Sequence, residues 1–140
     1  MHSPTFDGRH TRFVLTAFFV RQIMALAGFA LLATIALGIA ALATWNVADP
    51  SLSYATGNQP TNLLGYSGAI FADIVMQFFG LSAIISFLPI IAWAIALIAG
   101  RRFNRIPARL VAWLAGAIVC AASLGCFPAP ITWPLPNGIG

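Results

Sequence analysis

Three long runs of apolar residues, none containing a charged side chain, constrain this chain more than any other feature. They are Ile23–Trp45, Ile74–Ala99 and Leu110–Phe127. As helices, the first would extend about 34 Å and the third about 27 Å, against a hydrocarbon core of about 30 Å. Charged residues make up 7% of the 140 residues, far below the roughly 25% of soluble domains. The sequence therefore predicts an all-α, polytopic membrane helix bundle with three transmembrane helices.

The orientation in the membrane is predicted from the basic residues, all seven of which are arginines. They precede the first run (Arg9, Arg12, Arg21) or follow the second (Arg101, Arg102, Arg105, Arg109). Because basic residues concentrate on the cytoplasmic side, we expect a cytoplasmic N-terminus. The predicted segments are a cytoplasmic N-terminal segment (1–22), transmembrane helix 1 (23–45), a periplasmic loop (46–73), transmembrane helix 2 (74–99), a cytoplasmic arginine-rich turn (100–109), transmembrane helix 3 (110–127) and a periplasmic tail rich in Gly and Pro (128–140).

Several kinds of chemistry are excluded by missing residue types. The chain has no lysine, so it cannot carry the phosphate loop GxxxxGK[ST], and without glutamate it cannot carry HExxH. Cys120 and Cys126 are six residues apart and form no CxxC pair. The net charge of +4 comes from arginines that flank apolar runs, so it does not indicate a DNA-binding face. We therefore predict no catalytic residue, metal site or cofactor site in this chain, and no direct contact with DNA.

Three polar or helix-bending residues are structural candidates. We predict that Asp73 begins the second helix and binds its free N–H groups, since a carboxylate is stabilised at a helix N-terminus. The alternative role for Asp73 is an ion or proton site, because acids near membrane depth are often functional. Asp49 precedes Pro50 and is predicted to begin a turn, and Pro89 is predicted to kink the second helix.

Glycines mark further candidates in the loop and in the third helix. Gly65 and Gly68 belong to a turn-rich, nearly uncharged loop. Gly116 lies between Ala112 and Cys120 at four-residue spacing, and such stripes of small residues allow close helix packing within or between copies.

The loop also carries a family resemblance. Residues 49–53 read DPSLS, residues 62–73 read NLLGYSGAIFAD, and Phe79-Gly80, Pro89 and Arg101-Arg102 follow. In their order and spacing, these residues resemble the N-terminal four-helix membrane domain of FtsK/SpoIIIE-type DNA translocases, over most of residues 23–140.

The resemblance implies a membrane-anchoring domain that interacts with other proteins of cell division at the septum of a bacterial inner membrane and acts in chromosome segregation. It also implies a linker and a hexameric motor that uses ATP and Mg to move DNA. The fourth helix, the linker and the motor of that family are missing from this sequence, which we therefore interpret as a fragment or a truncated gene product. Its expected partners are lipid, division proteins and further copies of itself, with DNA bound only through the absent motor. The structural or interaction candidates are Asp49, Pro50, Gly65, Gly68, Asp73, Pro89 and Gly116, with Arg101, Arg102, Arg105 and Arg109 setting the topology.

A small transporter or channel subunit, using Asp73 and the Pro89 kink, is the alternative function. A transporter places polar groups near the middle of several helices. The first run offers Thr34, and the second mainly Gln77, Ser82 and Ser86. These polar residues are too few to line a transport path, so the sequence favours the membrane anchor.

Overall fold

The computed structural model describes residues 8–101, 103–134 and 138–140, with side chains from residue 14 onward. This part of the chain forms four helices and no strand: α1 (Gly8–Ala43), α2 (Gly65–Phe79), α3 (Ser82–Ile98) and α4 (Ile106–Gly125). Two stretches, Val14–Ala43 and α4, are each long and apolar enough to cross a membrane, and α2 with α3 makes a third if the bent pair is one span. The predicted all-α membrane bundle is confirmed.

Helix α1 is longer than the apolar run that predicted it. It begins at Gly8 and is continuous through 36 residues, whereas the predicted span began at Ile23. Residues 8–22 contain no proline, and arginine is a good helix former. Nothing in this segment therefore prevents the helix from beginning before the apolar run. The side chains of Arg9 and Arg12 lie outside the described part of the chain.

The second apolar run is broken between α2 and α3, ahead of Pro89, where the sequence predicts a kink. α2 and α3 meet at 104° across Gly80 and Leu81. Gly80 has a φ of +52°, a conformation that costs glycine little and other residues more. Pro89 lies inside α3, where the indole N–H of Trp113 in α4 donates to the neighbouring Ser86 carbonyl at 2.8 Å.

Helices α1 and α3 run antiparallel in close contact. A Cβ added at Gly38 would lie 3.1 Å from Phe87, and one added at Gly28 would lie 2.7 Å from the Ala94 carbonyl oxygen. A cluster of buried apolar residues lies where α1 ends and α2 and α3 meet. It consists of Ala41, Leu42, Ala72, Met76 and Ala83. The core is therefore concentrated beside the loop that joins α1 to α2.

Candidate interaction loop

Asp49 holds the two ends of the α1–α2 loop together. It is 4% exposed. One carboxylate oxygen accepts hydrogen bonds from the Thr61 N–H and hydroxyl at 2.8 Å each, and the other accepts from the Asn62 N–H at 2.9 Å. Burial raises the pKa of Asp49, but the three hydrogen bonds outweigh it and hold the pKa below its ordinary value. The carboxylate is therefore ionised at neutral pH, and the adjoining Pro50 is buried.

Asn62 joins the end of α1 to the beginning of α2. Its side-chain N–H group donates to the carbonyls of Ala41, at 2.8 Å, and Thr44, at 3.2 Å. The last carbonyls of a helix lack partners within the helix, so this amide caps α1. Its side-chain oxygen accepts from the N–H of Leu64 at 3.1 Å, which immediately precedes α2. Asn62 is not among the residues that the sequence singled out, although an Asn three residues before Gly65 in a turn-rich segment is a usable signal.

Two of the predicted glycines lie directly against this junction. Gly65, the first residue of α2, has a φ of +64°. A Cβ at Gly68 would lie 2.2 Å from the Asn62 side-chain oxygen and 2.5 Å from Leu64 Cβ. The absence of a side chain at Gly68 therefore makes room for the Asn62 cap.

The predicted role of Asp73 as a helix cap is wrong. α2 begins at Gly65, so Asp73 lies in its third turn, away from the free N–H groups of the first turn. Asp73 is 6% exposed, accepts a hydrogen bond from the Ser53 hydroxyl, and accepts another from the Gln77 amide at 3.0 Å. That amide is also 2.8 Å from the Ser53 oxygen. Asp73 thus holds the first half of the loop against α2.

The anchored loop displays apolar side chains to its surroundings. Leu52 is 77% exposed and Leu63 is 70% exposed, with Tyr54 and Tyr66 each about half exposed. Exposed apolar groups on an ordered loop suit contact with a protein or with the membrane interface. Within the described residues, no group of three His, Cys, Asp or Glu could hold a metal ion.

The remaining predicted residues lie elsewhere. Gly116 faces open space on α4. The guanidinium of Arg109 lies 5.4 Å from the ring centroid of Phe103. Arg101 and Arg105 belong to the same α3–α4 connection, at the end of the bundle where Arg21 meets Gly100 and opposite the α1–α2 loop. Arg102 lies outside the described residues.

The C-terminal residues close over the bend between α2 and α3. The Leu81 N–H donates to the Ile139 carbonyl at 3.0 Å, and the Trp133 indole donates to the Gly138 carbonyl. The Trp133 ring lies 6.5 Å from the ring of Trp45, centroid to centroid. The tail therefore contacts the same end of the bundle as the α1–α2 loop.

Comparison with known proteins gives one consistent family. Residues 19–140 match the profile of the 4TM region of DNA translocase FtsK/SpoIIIE. The chain is 96% identical over 140 residues to "DNA translocase FtsK" of Agrobacterium fabrum, which covers all of this chain and 16% of that protein. It is 60% identical over 139 residues to the protein of the same name from Rhizobium meliloti, covering 99% of this chain and 16% of the relative. It is 48% identical over 120 residues to the protein of the same name from Brucella melitensis, covering 86% of this chain and 15% of the relative. No solved structure matches the chain.

Proposed function

The chain belongs to the FtsK/SpoIIIE family of DNA translocases, whose 4TM membrane region it carries, and we propose that it is the membrane anchor and division-site interaction module of a longer translocase. It spans about 16% of the length of its Agrobacterium relative. ATP hydrolysis with magnesium, and the movement of DNA in chromosome segregation, belong in this proposal to a motor outside these 140 residues.

Anchoring in a bacterial inner membrane is supported by the surface of the helices. Large apolar side chains point outward along α1 and α4, including Phe29 at 59% and Val111 at 69% exposure. Contact of such surfaces with lipid is favourable, whereas their contact with water costs free energy in proportion to the exposed apolar area. The one-sided arginines further favour a cytoplasmic N-terminus and a periplasmic α1–α2 loop.

The interaction role rests on the α1–α2 loop, and this is the single observation that carries it. Asn62 bonds the loop to α1, Asp73 of α2 accepts from Ser53 of the loop, and Asp49 ties the two ends of the loop together. Its exposed Leu52 and Leu63 are therefore presented from an ordered backbone. Ordering the surface before binding lowers the entropy that association costs. We propose that other division proteins bind here, on the periplasmic side of the septum.

The transporter alternative is disfavoured by where the membrane hydroxyl groups point. Thr34, Ser82 and Ser86 donate to the backbone carbonyls of Ala30, Phe79 and Ser82 within their own helices or the adjoining turn. The cavity of about 250 Å³ between α2, α3 and α4 is lined mainly by aromatic and aliphatic groups. Neither arrangement offers a chain of polar groups to a solute.

The proposal is tested in cells with the full-length parent carrying a fluorescent protein at its N-terminus. Replacing Leu52 and Leu63 together by Asn should leave the protein in the membrane fraction but reduce its accumulation at division sites several-fold. Thr56→Ala with Asn58→Ala, in the same loop, is the matched control and should localise normally. Normal localisation of the Leu52/Leu63 variant would show that these side chains do not carry the interaction. Residues 1–140 fused to a soluble reporter must stay in the membrane fraction if they are an anchor.

A further inference from the structure

An apolar groove runs between α1, α3 and α4 at the arginine-bearing end of the bundle. It encloses about 230 Å³, and its walls are Leu31 of α1, Trp93 and Leu97 of α3, and Ile106 and Leu110 of α4. Ile106 and Leu110 are each about half exposed, so the α4 wall of the groove is open to its surroundings. For a helix that crosses the membrane, those surroundings are lipid acyl chains.

The groove reaches about as deep into the membrane as one leaflet. The side chain of Arg21 lies against Gly100, with its Cγ 3.7 Å from the position of a Cβ added there, so Arg21 is level with the α3–α4 connection. Leu31 follows Arg21 by ten residues of α1, which places it about 15 Å deeper. The whole hydrocarbon core is about 30 Å thick, so the groove matches one acyl chain of one leaflet in length.

Arg109 lies at the shallow end of the same groove, where its guanidinium is held in place. The guanidinium is 5.4 Å from the ring centroid of Phe103, and its Nε donates to the Asn104 carbonyl at 3.3 Å. A guanidinium carries five N–H donors. The donors on its two terminal nitrogens have no acceptor among the described residues, so they are available to a ligand.

The positive charge of Arg109 has no carboxylate partner in the described part of the chain. Asp49 and Asp73 are bonded within the α1–α2 loop and its junction with α2, at the opposite end of the bundle, and Asp7 lies outside the described residues. Arg109 belongs to a stretch, Ile106–Gly125, that is long and apolar enough to cross a membrane, where a cation is costly unless it is paired. The N-terminal end of a helix also favours negative charge over positive. An anion beside Arg109 would therefore complement the site.

We propose that an anionic phospholipid occupies this groove, with one acyl chain between α1, α3 and α4 and its phosphate bound by the guanidinium of Arg109. Guanidinium and phosphate fit each other, because two parallel N–H groups can donate to two phosphate oxygens. Basic pockets between transmembrane helices bind the head groups of anionic lipids by the same chemistry. This selective site goes beyond the anchor role, which requires only general contact with lipid.

The test is photo-labelling of the full-length parent in vesicles of phosphatidylcholine. The probe is phosphatidylglycerol with a diazirine in the middle of one acyl chain, added as a minor component, and mass spectrometry maps the labelled residues. We expect label on the walls of the groove, at Leu31, Trp93 and Leu97. Unlabelled phosphatidylglycerol should compete for this labelling, whereas additional phosphatidylcholine or dissolved glycerol phosphate should not.

Two variants test the two halves of the site separately. Arg109→Gln removes the phosphate partner and should reduce labelling of the groove several-fold. Arg101→Gln, its control, removes the same charge from the α3–α4 connection at a position that does not line the groove, and should leave the labelling unchanged. Leu31→Trp fills the groove and should also reduce labelling several-fold, whereas Leu26→Trp, at an exposed position of α1, should not.

Three results would overturn the inference. Equal labelling by phosphatidylcholine that carries the same diazirine would show that the head group is not selected. Equal losses in Arg109→Gln and Arg101→Gln would show unspecific attraction of charge, and competition by glycerol phosphate would show a site for a dissolved phosphate. Melting temperatures in detergent establish that each variant is folded. The variants alter different ends of the site, and the competition experiments use the unaltered protein, so misfolding of one variant leaves the test decisive.

Discussion

Asp49 and Thr61 are joined by two hydrogen bonds of 2.8 Å, one from the backbone N–H and one from the hydroxyl of Thr61, both to the same carboxylate oxygen. They join two loop residues that are twelve positions apart in sequence. Both hydrogen bonds favour the ionised carboxylate, so folding of the loop stabilises the charged form of Asp49.

Asp49→Asn should destabilise the protein by about 1–3 kcal/mol, because an amide nitrogen cannot accept the hydrogen bonds that a carboxylate oxygen accepts and leaves buried donors unpaired. Thermal unfolding of the full-length parent in detergent measures the change. Asn58→Ala, at an exposed position of the same loop, is the control and should fall within about 0.5 kcal/mol of wild type. Equal effects of the two substitutions would contradict the role assigned to Asp49.

The stability of the loop should also depend on pH in one direction. Hydrogen bonds hold the pKa of Asp49 in the folded protein below its ordinary value, so the unfolded state binds the proton more readily. The contribution of Asp49 is therefore full above the unfolded pKa of about 4 and is lost as pH falls through the lower folded pKa. Melting temperatures from pH 6 to pH 3 should fall more steeply for wild type than for Asp49→Asn. A parallel decline would show that other groups carry the acid sensitivity.

Gly68→Ala and Gly116→Ala should have opposite effects. A methyl group at position 68 would collide with Asn62 and Leu64, and we expect a loss of about 1–3 kcal/mol from this overpacking. At position 116 the methyl would enter open space, and alanine should gain up to about 1 kcal/mol as the better helix former. Chemical or thermal denaturation in detergent distinguishes them. Strong destabilisation by Gly116→Ala would mean that a partner packs on that position.

Asp73 and Ser53 should be energetically coupled although they are twenty residues apart in sequence. In a double-mutant cycle, Ser53→Ala and Asp73→Ala together should cost less than the sum of the single losses, with a coupling of about 0.5–3 kcal/mol. The pair Ser123→Ala and Asp73→Ala is the control, since Ser123 donates to the Val119 carbonyl of its own helix. Additivity in both cycles would show that Asp73 and Ser53 do not stabilise each other.

Labelling of single cysteines checks the orientation. In a background lacking Cys120 and Cys126, Asn58→Cys should react with a membrane-impermeant maleimide in spheroplasts, because the distribution of the arginines predicts that the α1–α2 loop lies outside. Arg105→Cys should react after the membrane is permeabilised. The reverse pattern would invert the proposed topology.

The sequence predicted the helical membrane bundle because uncharged apolar runs leave few other solutions. It did not predict the bend at Gly80, since glycine is common in straight membrane helices and the required φ depends on the packing of α2 against Ala41 and Leu42. Asp73 was misassigned for a related reason. An acidic residue beside an apolar run looks like the end of a span, and its hydrogen-bond donor Ser53 becomes its neighbour only when the loop folds back. The predicted importance of Gly68 was open to sequence inspection, but its reason, the room it leaves for Asn62, was not.

The bend between α2 and α3 has a consequence for the surrounding bilayer. Once α2 turns away, α3 extends only about 26 Å over its 17 residues, whereas α4 extends about 30 Å over 20 residues. A span shorter than the hydrocarbon thickness causes hydrophobic mismatch, which lipids relieve by thinning locally at a fraction of a kcal/mol per Å. Val14–Ala43 and α4 are each long and apolar enough to span, so a crossing by α3 without α2 would require the lipids on that side of the protein to thin locally.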